Sequence, residues 1–169
     1  MKAEEVRLLF AYDAWANARA LDACSALTPE RFTKDLTSSF PSVRDTLAHI
    51  MGAQWIWNER FRGRTTTGLP KADQYTDLAI LGERWAEVQR DLLGFVNKLS
   101  DADLERTFEY RDTKGNAHRN VYREVLQHLA NHGTYHRGQV TTLLRQLGVK
   151  PVSTDLIVFY RELASQPAK

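Results

Sequence analysis

His128, His132 and His136 follow one another at intervals of four in a stretch with helical character. Residues four apart on a helix share one face, with β-carbons about 6 Å apart. Two imidazoles so placed can both reach one metal ion at about 2.1 Å. The outer two cannot easily share an ion, because eight residues of helix separate their α-carbons by about 12 Å. The spacing offers two pairs, His128 with His132 or His132 with His136, and does not choose between them.

A pair of ligands is too few for a metal site. Two histidines remain, His49 and His118. His49 falls in a strongly apolar segment, on a shoulder shared with Thr46, Ala53 and Ile56. A buried imidazole without a partner costs about 1–3 kcal/mol, so His49 calls for one. His118 belongs to a polar segment and reads as exposed. The economical site takes His49 from one helix and a pair from another. The competing chemistry for the same face is a proton relay.

Other polar residues near these positions have milder readings. Gln139 follows His136 by three and can bond a substrate or a ligand ring, or simply another helix. Asn17, Tyr12 and Tyr135 read as packing or wall residues, and Arg137 as one half of an interhelical ion pair. Gly133 and Gly138 each cost about 1 kcal/mol of helix propensity relative to alanine. Two of them beside the histidines point to close approach by a neighbouring helix or subunit. Cys24 reads as a small buried hydrophobe. Trp55 and Trp57 lie two apart and cannot both point the same way.

These side chains need elements to hold them. Val6, Leu9, Phe10, Ala14 and Leu21 recur at helical spacing over 3–24. Thr28 before Pro29 opens a short turn. Ser42, with Asp45 three residues on, caps a helix over 43–62 that is apolar around most of its girth. Residues 63–75 hold two glycines, a proline and three threonines, a long loop. Thr76 is expected to cap a helix to about Leu99. Ser100 with Asp103 starts a short turn, and residues 105–119 read as a small hairpin around Asp112 to Gly115. Asn120 is expected to cap a long helix to Leu147, closed by Gly148. A short helix spans 155–163. The expected fold is all-α: a four-helix bundle with an extra C-terminal helix and a small hairpin before the fourth long helix. Residues 1–165 form one expected domain, and 166–169 a tail.

Composition narrows the function classes. The chain has 169 residues, 43% hydrophobic and 26% charged, so a globular core is expected. Twenty-three basic against 21 acidic residues leave a net charge of +2, too balanced to hold nucleic acid by charge alone. The single cysteine excludes an internal disulfide and fits a reducing, cytoplasmic setting. No apolar run of signal-peptide or membrane-spanning length is present, so a soluble chain is expected.

The run His132-Gly133-Thr134-Tyr135-His136-Arg137-Gly138-Gln139 resembles the signature of the DinB/YfiT-like superfamily of metalloenzymes. Tyr12-Asp13-Ala14-Trp15-Ala16-Asn17 is similar to that family's N-terminal motif, and Leu47-Ala48-His49-Ile50 to its second-helix histidine. The likeness covers nearly the whole chain, with the motifs in order. It implies a four-helix bundle, usually a homodimer, and metal ligands His49, His132 and His136. Nickel and zinc are both in keeping with it, as is a low-molecular-weight thiol used in transfer or isomerisation. A stress-inducible member would not by that fact have an assigned reaction.

Three neutral imidazoles leave a divalent ion its full charge, which favours hydroxide from water and thiolate from thiol near neutral pH. The motif carries no carboxylate base. The expectation is therefore a thiol-dependent transferase acting on a small molecule, with a metal-dependent hydrolase as the alternative. A non-catalytic metal-binding stress-response protein is a third reading. His128, one turn before His132, is expected to shuttle a proton or to orient a ligand ring.

Overall fold

The computed structural model describes residues 1–165. The tail expected at 166–169 lies outside the described residues.

Most of the helices begin where a side chain can accept from free N–H groups at the helix start. α1 (Ala3–Cys24) places Glu4 and Glu5 in its first turn, and the Glu5 carboxylate accepts from Lys2 N. Thr28 caps α2 (Pro29–Phe32), and Ser42 caps α3 (Val43–Phe61) by accepting from Asp45 N. A 3-10 turn at Ala72–Gln74 follows. α4 (Leu78–Val96) is capped by Asp77, whose carboxylate accepts from Ile80 N at 3.0 Å. The sequence places this cap at Thr76. Asp77 immediately precedes the first helical residue and reaches that N–H, and its charge suits the positive end of the helix. The helix also stops short of Leu99, because Ser100 and Asp103 open α5 (Asp101–Leu104) with a reciprocal capping box.

β1 (Thr107–Arg111) and β2 (Ala117–Val121) pair antiparallel, Thr107 opposite Val121. The turn between them is held by the Asp112 carboxylate, which accepts from Lys114 N and Asn116 N, with Gly115 at φ +88°. Asn120 does not cap the next helix as the sequence suggests. It pairs with Phe108 in the ladder, and its side chain accepts from the Tyr110 hydroxyl. α6 (Tyr122–Gln146) starts one step later, with the Glu124 carboxylate accepting from Val121 N. Gly148, φ +69° and just past the C-cap Leu147, closes it: Gly148 N donates to Arg145 O and Val149 N to Leu144 O. α7 is Leu156–Ala164.

The described chain is therefore mostly helical, with one small two-stranded sheet. The four long helices touch in a ring: α1 meets α6 and α4, and α3 meets the same two. One apolar cluster gathers Phe32, Leu47, Met51, Trp85 and Leu143. A second gathers Phe10, Ile56, Leu92, Leu126 and Leu129. Between them lies a buried polar layer of Asp13, Asn17, Gln54 and Arg137. The long segment 63–75 is not free of the core: Leu69 packs on Gly52 of α3, and Tyr75 is buried. No described helix is long and apolar enough to cross a membrane.

Candidate metal centre

α3 and α6 bring His49, His132 and His136 together. His132 Nε2 lies 3.1 Å from His49 Nε2 and 3.1 Å from His136 Nε2. One donor atom from each residue falls within 4.8 Å of the other two. Two nitrogens at about 2.1 Å from one ion, at right to tetrahedral angles, stand about 3.0–3.4 Å apart, so the spacing fits three ligands on one ion.

The hydrogen bonds around the rings agree with that fit. Gln139 Oε1 accepts from His136 Nδ1 at 2.7 Å. An amide oxygen only accepts, so Nδ1 carries the proton, and in the neutral ring that binds metal Nε2 presents a lone pair. His132 Nε2 therefore faces ring nitrogens on two sides and can give a proton to one of them only. A cation among the three lone pairs resolves the conflict.

Phe40, from the segment before α3, stacks on His49 with ring centres 4.2 Å apart and sets its edge toward His136 at 5.5 Å. The Ser39 hydroxyl accepts from Gln139 Nε2, which ties this segment to α6. A cavity of about 180 Å³ opens beside His49, lined by Phe40, Asp45, Ala48 and Leu69. Asp45 is already engaged, accepting from the Ser42 hydroxyl and Arg44.

Burial pushes the His49 pKa down to about 4, helped by His136, and that of His132 down to about 3, helped by the neighbouring imidazoles. Both are neutral at pH 7, the form that binds metal. Their folded values lie below the ordinary value of 6.5, so the unfolded chain binds more protons just below that value. The stability they contribute is present above pH 6.5 and is lost as pH falls toward 4 and then 3. Chelator-treated protein should therefore lose melting temperature between pH 6.5 and 5, before carboxylates titrate. His132→Ala should flatten that slope, and thermal unfolding at fixed ionic strength reads it. An equal slope in the variant would place the titrating groups elsewhere.

His128 stands outside the group. Its ring centre is 5.6 Å from that of His132, and its edge faces Trp57 at 6.1 Å. Partial burial and the Arg60 charge lower its pKa. His118 is exposed on β2 and bonded to Asp112. Cys24 is buried among apolar side chains, which drives its thiol up to about 12.

Arg137 forms the interhelical ion pair, donating to Asp13 Oδ1 and Asn17 Oδ1 at 2.7 Å each. Asn17 and Gln54 donate to Asp13 Oδ2. Burial pushes the Asp13 carboxyl up, while Arg137 and the two amides pull it back. All three hydrogen bonds to Asp13 suit the ionised carboxylate. Gly133 admits this pair, since a β-carbon there would stand 2.8 Å from both Asp13 Oδ1 and Arg137 Nη1. Gly138 has open space beside it, so the close approach expected there does not occur within the chain. Tyr12 is a wall residue packed on Phe159, but Tyr135 is 64% exposed, because its place on α6 faces away from every other helix. Sequence reasoning missed Phe40 and Ser39, which come from an irregular segment without periodic signal.

The fold and this site define a helical protein with a three-histidine group that could hold a metal ion. The DinB family model matches residues 1–167, and the chain belongs to that family. Protein DinB of Bacillus subtilis is 25% identical over 154 residues, covering 87% of this chain and 88% of its own. The uncharacterized protein YizA of the same organism is 23% identical over 134 residues, 79% and 82% of the two chains. A crystal structure of a DinB-like protein from Bacillus cereus aligns with TM-score 0.63 at 20% identity, covering 83% of this chain and 91% of that one. That likeness speaks for the fold.

Proposed function

We propose that residues 1–165 form one four-helix-bundle unit that holds a divalent ion, nickel or zinc, through His49, His132 and His136. On this reading the protein is a metalloenzyme acting on a small molecule in the cytoplasm, by thiol-dependent transfer. The observation that carries the metal reading is the convergence of His49 Nε2 and His136 Nε2 on His132 Nε2, each at 3.1 Å, with Gln139 on the other nitrogen of the His136 ring. A divalent ion with three neutral ligands keeps its charge and makes thiolate available from a bound thiol at neutral pH.

The chain's own residues do the rest. Gln139 fixes the His136 ring, and Phe40 covers one side of His49. His128, neutral at pH 7, stands one turn from His132 and can accept the thiol proton on a free ring nitrogen. Among the described residues no carboxylate joins the three histidines. The absence of a carboxylate base beside the three rings favours thiol transfer over hydrolysis, which gains about 10²–10⁴-fold from a base positioned on the attacking water. A homodimer belongs to the same reading, supported by Leu156, Ile157, Tyr160 and Leu163 exposed along α7.

Cobalt-substituted protein titrated with glutathione, bacillithiol and mycothiol tests this. At least one thiol should shift the visible spectrum, because its sulfur enters the metal's coordination. No spectral change with any thiol, together with turnover of an ester, amide or lactone panel, would replace transfer by hydrolysis. Sedimentation of the same samples at micromolar concentration separates a dimer from a single 19.4 kDa chain.

A further inference from the structure

Arg60 sits on the face of α3 that carries His49. Positions 49, 53, 56 and 60 follow the helical repeat, and helical side chains lean toward the N-terminus, so Arg60 leans back toward His49. Its guanidinium lies over Trp57, 4.4 Å from the ring centre, and 5.1 Å from that of Tyr110. Arg60 Nε is buried and has no hydrogen-bond partner. Among the described residues no carboxylate forms an ion pair with it, whereas its near neighbours Arg62 and Arg64 each have one.

A half-buried cation with no carboxylate in contact is costly to keep, and Asp112 reaches it only through space. Two aromatic faces offset part of that cost and fix the plane of the guanidinium. They leave its edge N–H groups free, in the fork that matches a carboxylate. The same Trp57 ring meets the edge of His128, and His128 is the next ring along from His132. A run of ring contacts therefore links the three-histidine group to Arg60 through His128 and Trp57.

We propose that Arg60 is the anion-binding residue of this site, taking the carboxylate of a small substrate whose reactive end lies at His49, His132 and His136. The assignment rests on the metal reading above and adds the substrate class to it: a carboxylate-bearing molecule long enough to pass His128. A monoanion suits the place better than a dianionic phosphate, because there is one guanidinium and the Asp112 charge is close enough for Arg60 to feel. Arg60 acts here in binding and selection, with no part in bond breaking.

Calorimetric titration of metal-loaded protein with straight-chain dicarboxylates, succinate to suberate, and with the monoamide of each, tests it. One end of the probe occupies the histidine group and the other is carboxylate or amide at Arg60. For at least one length the dicarboxylate should bind about tenfold or more tightly than its monoamide, as expected for a charge-assisted pair. Arg60→Gln should abolish that preference with metal content unchanged, and Arg60→Lys should keep part of it. No preference at any length, or the full preference in Arg60→Gln, overturns the assignment. If Arg60→Gln does not fold, Arg60→Lys decides, since a full preference there overturns it too. Failure of the metal reading is seen separately: protein that retains no metal, yet loses a carboxylate preference on Arg60→Gln, refutes the ion and keeps Arg60.

Discussion

Arg137→Met should destabilise the protein by about 3–5 kcal/mol, a fall in Tm of roughly 6–20 °C for a chain of this size. Asp13 and Arg137 are each 1% exposed, and they bond each other at 2.7 Å. Removing the guanidinium strands a carboxylate in a site closed to bulk solvent, and the Asn17 and Gln54 amides cannot replace a full charge. Asp13→Leu alone should cost a similar amount by stranding the cation. The double variant Asp13→Leu/Arg137→Met should recover much of the loss, because neither charge is then left buried alone. Gly133→Ala should also destabilise, since its new methyl would press on both partners at 2.8 Å. Denaturant unfolding of the four variants checks the pattern. Additive losses in the double variant would mean that the pair does not act as a unit.

The consequence reaches the three-histidine group. Arg137 and Gly133 flank His136 and His132 on α6, so the polar layer fixes the depth at which the histidines meet α3. This explains in physical terms what could be read from the chain. Ligand type and the interval of four are local properties, and they were legible. Which pair of the three histidines meets His49 depends on the level at which α3 crosses α6, and spacing left it open. The structure puts His132 and His136 beside His49 and leaves His128 against Trp57. Arg137 was legible as half of an ion pair, but its partner is 124 residues away. Phe40 and Ser39 sit in a segment held by contacts to α3 and α6, which no local pattern encodes. The helix starts at Asp77 and Val121 missed their expected caps for opposite reasons. Asp77 was a better acceptor than its neighbour, and Asn120 was already committed to the strand ladder.

His49→Ala, His132→Ala and His136→Ala should each strip the metal, whereas His128→Ala should retain most of it. The grading follows from geometry. Each of the first three supplies one of the nitrogens that converge at 3.1 Å spacings, and losing one leaves two ligands on a divalent ion. His128 reaches the group only through its ring contact with His132. Gln139→Ala should fall between, weakening the metal about 10–100-fold, because it frees the His136 ring to turn and to place its proton on either nitrogen. Metal content after dialysis against a graded chelator series gives the order, and circular dichroism confirms that each variant is folded. His136→Ala is the informative comparison with His128→Ala, since both remove an imidazole four residues from His132. Equal loss from the two would mean that spacing along α6, and not the crossing of α3, selects the ligands, and the assignment of His49 would fall with it.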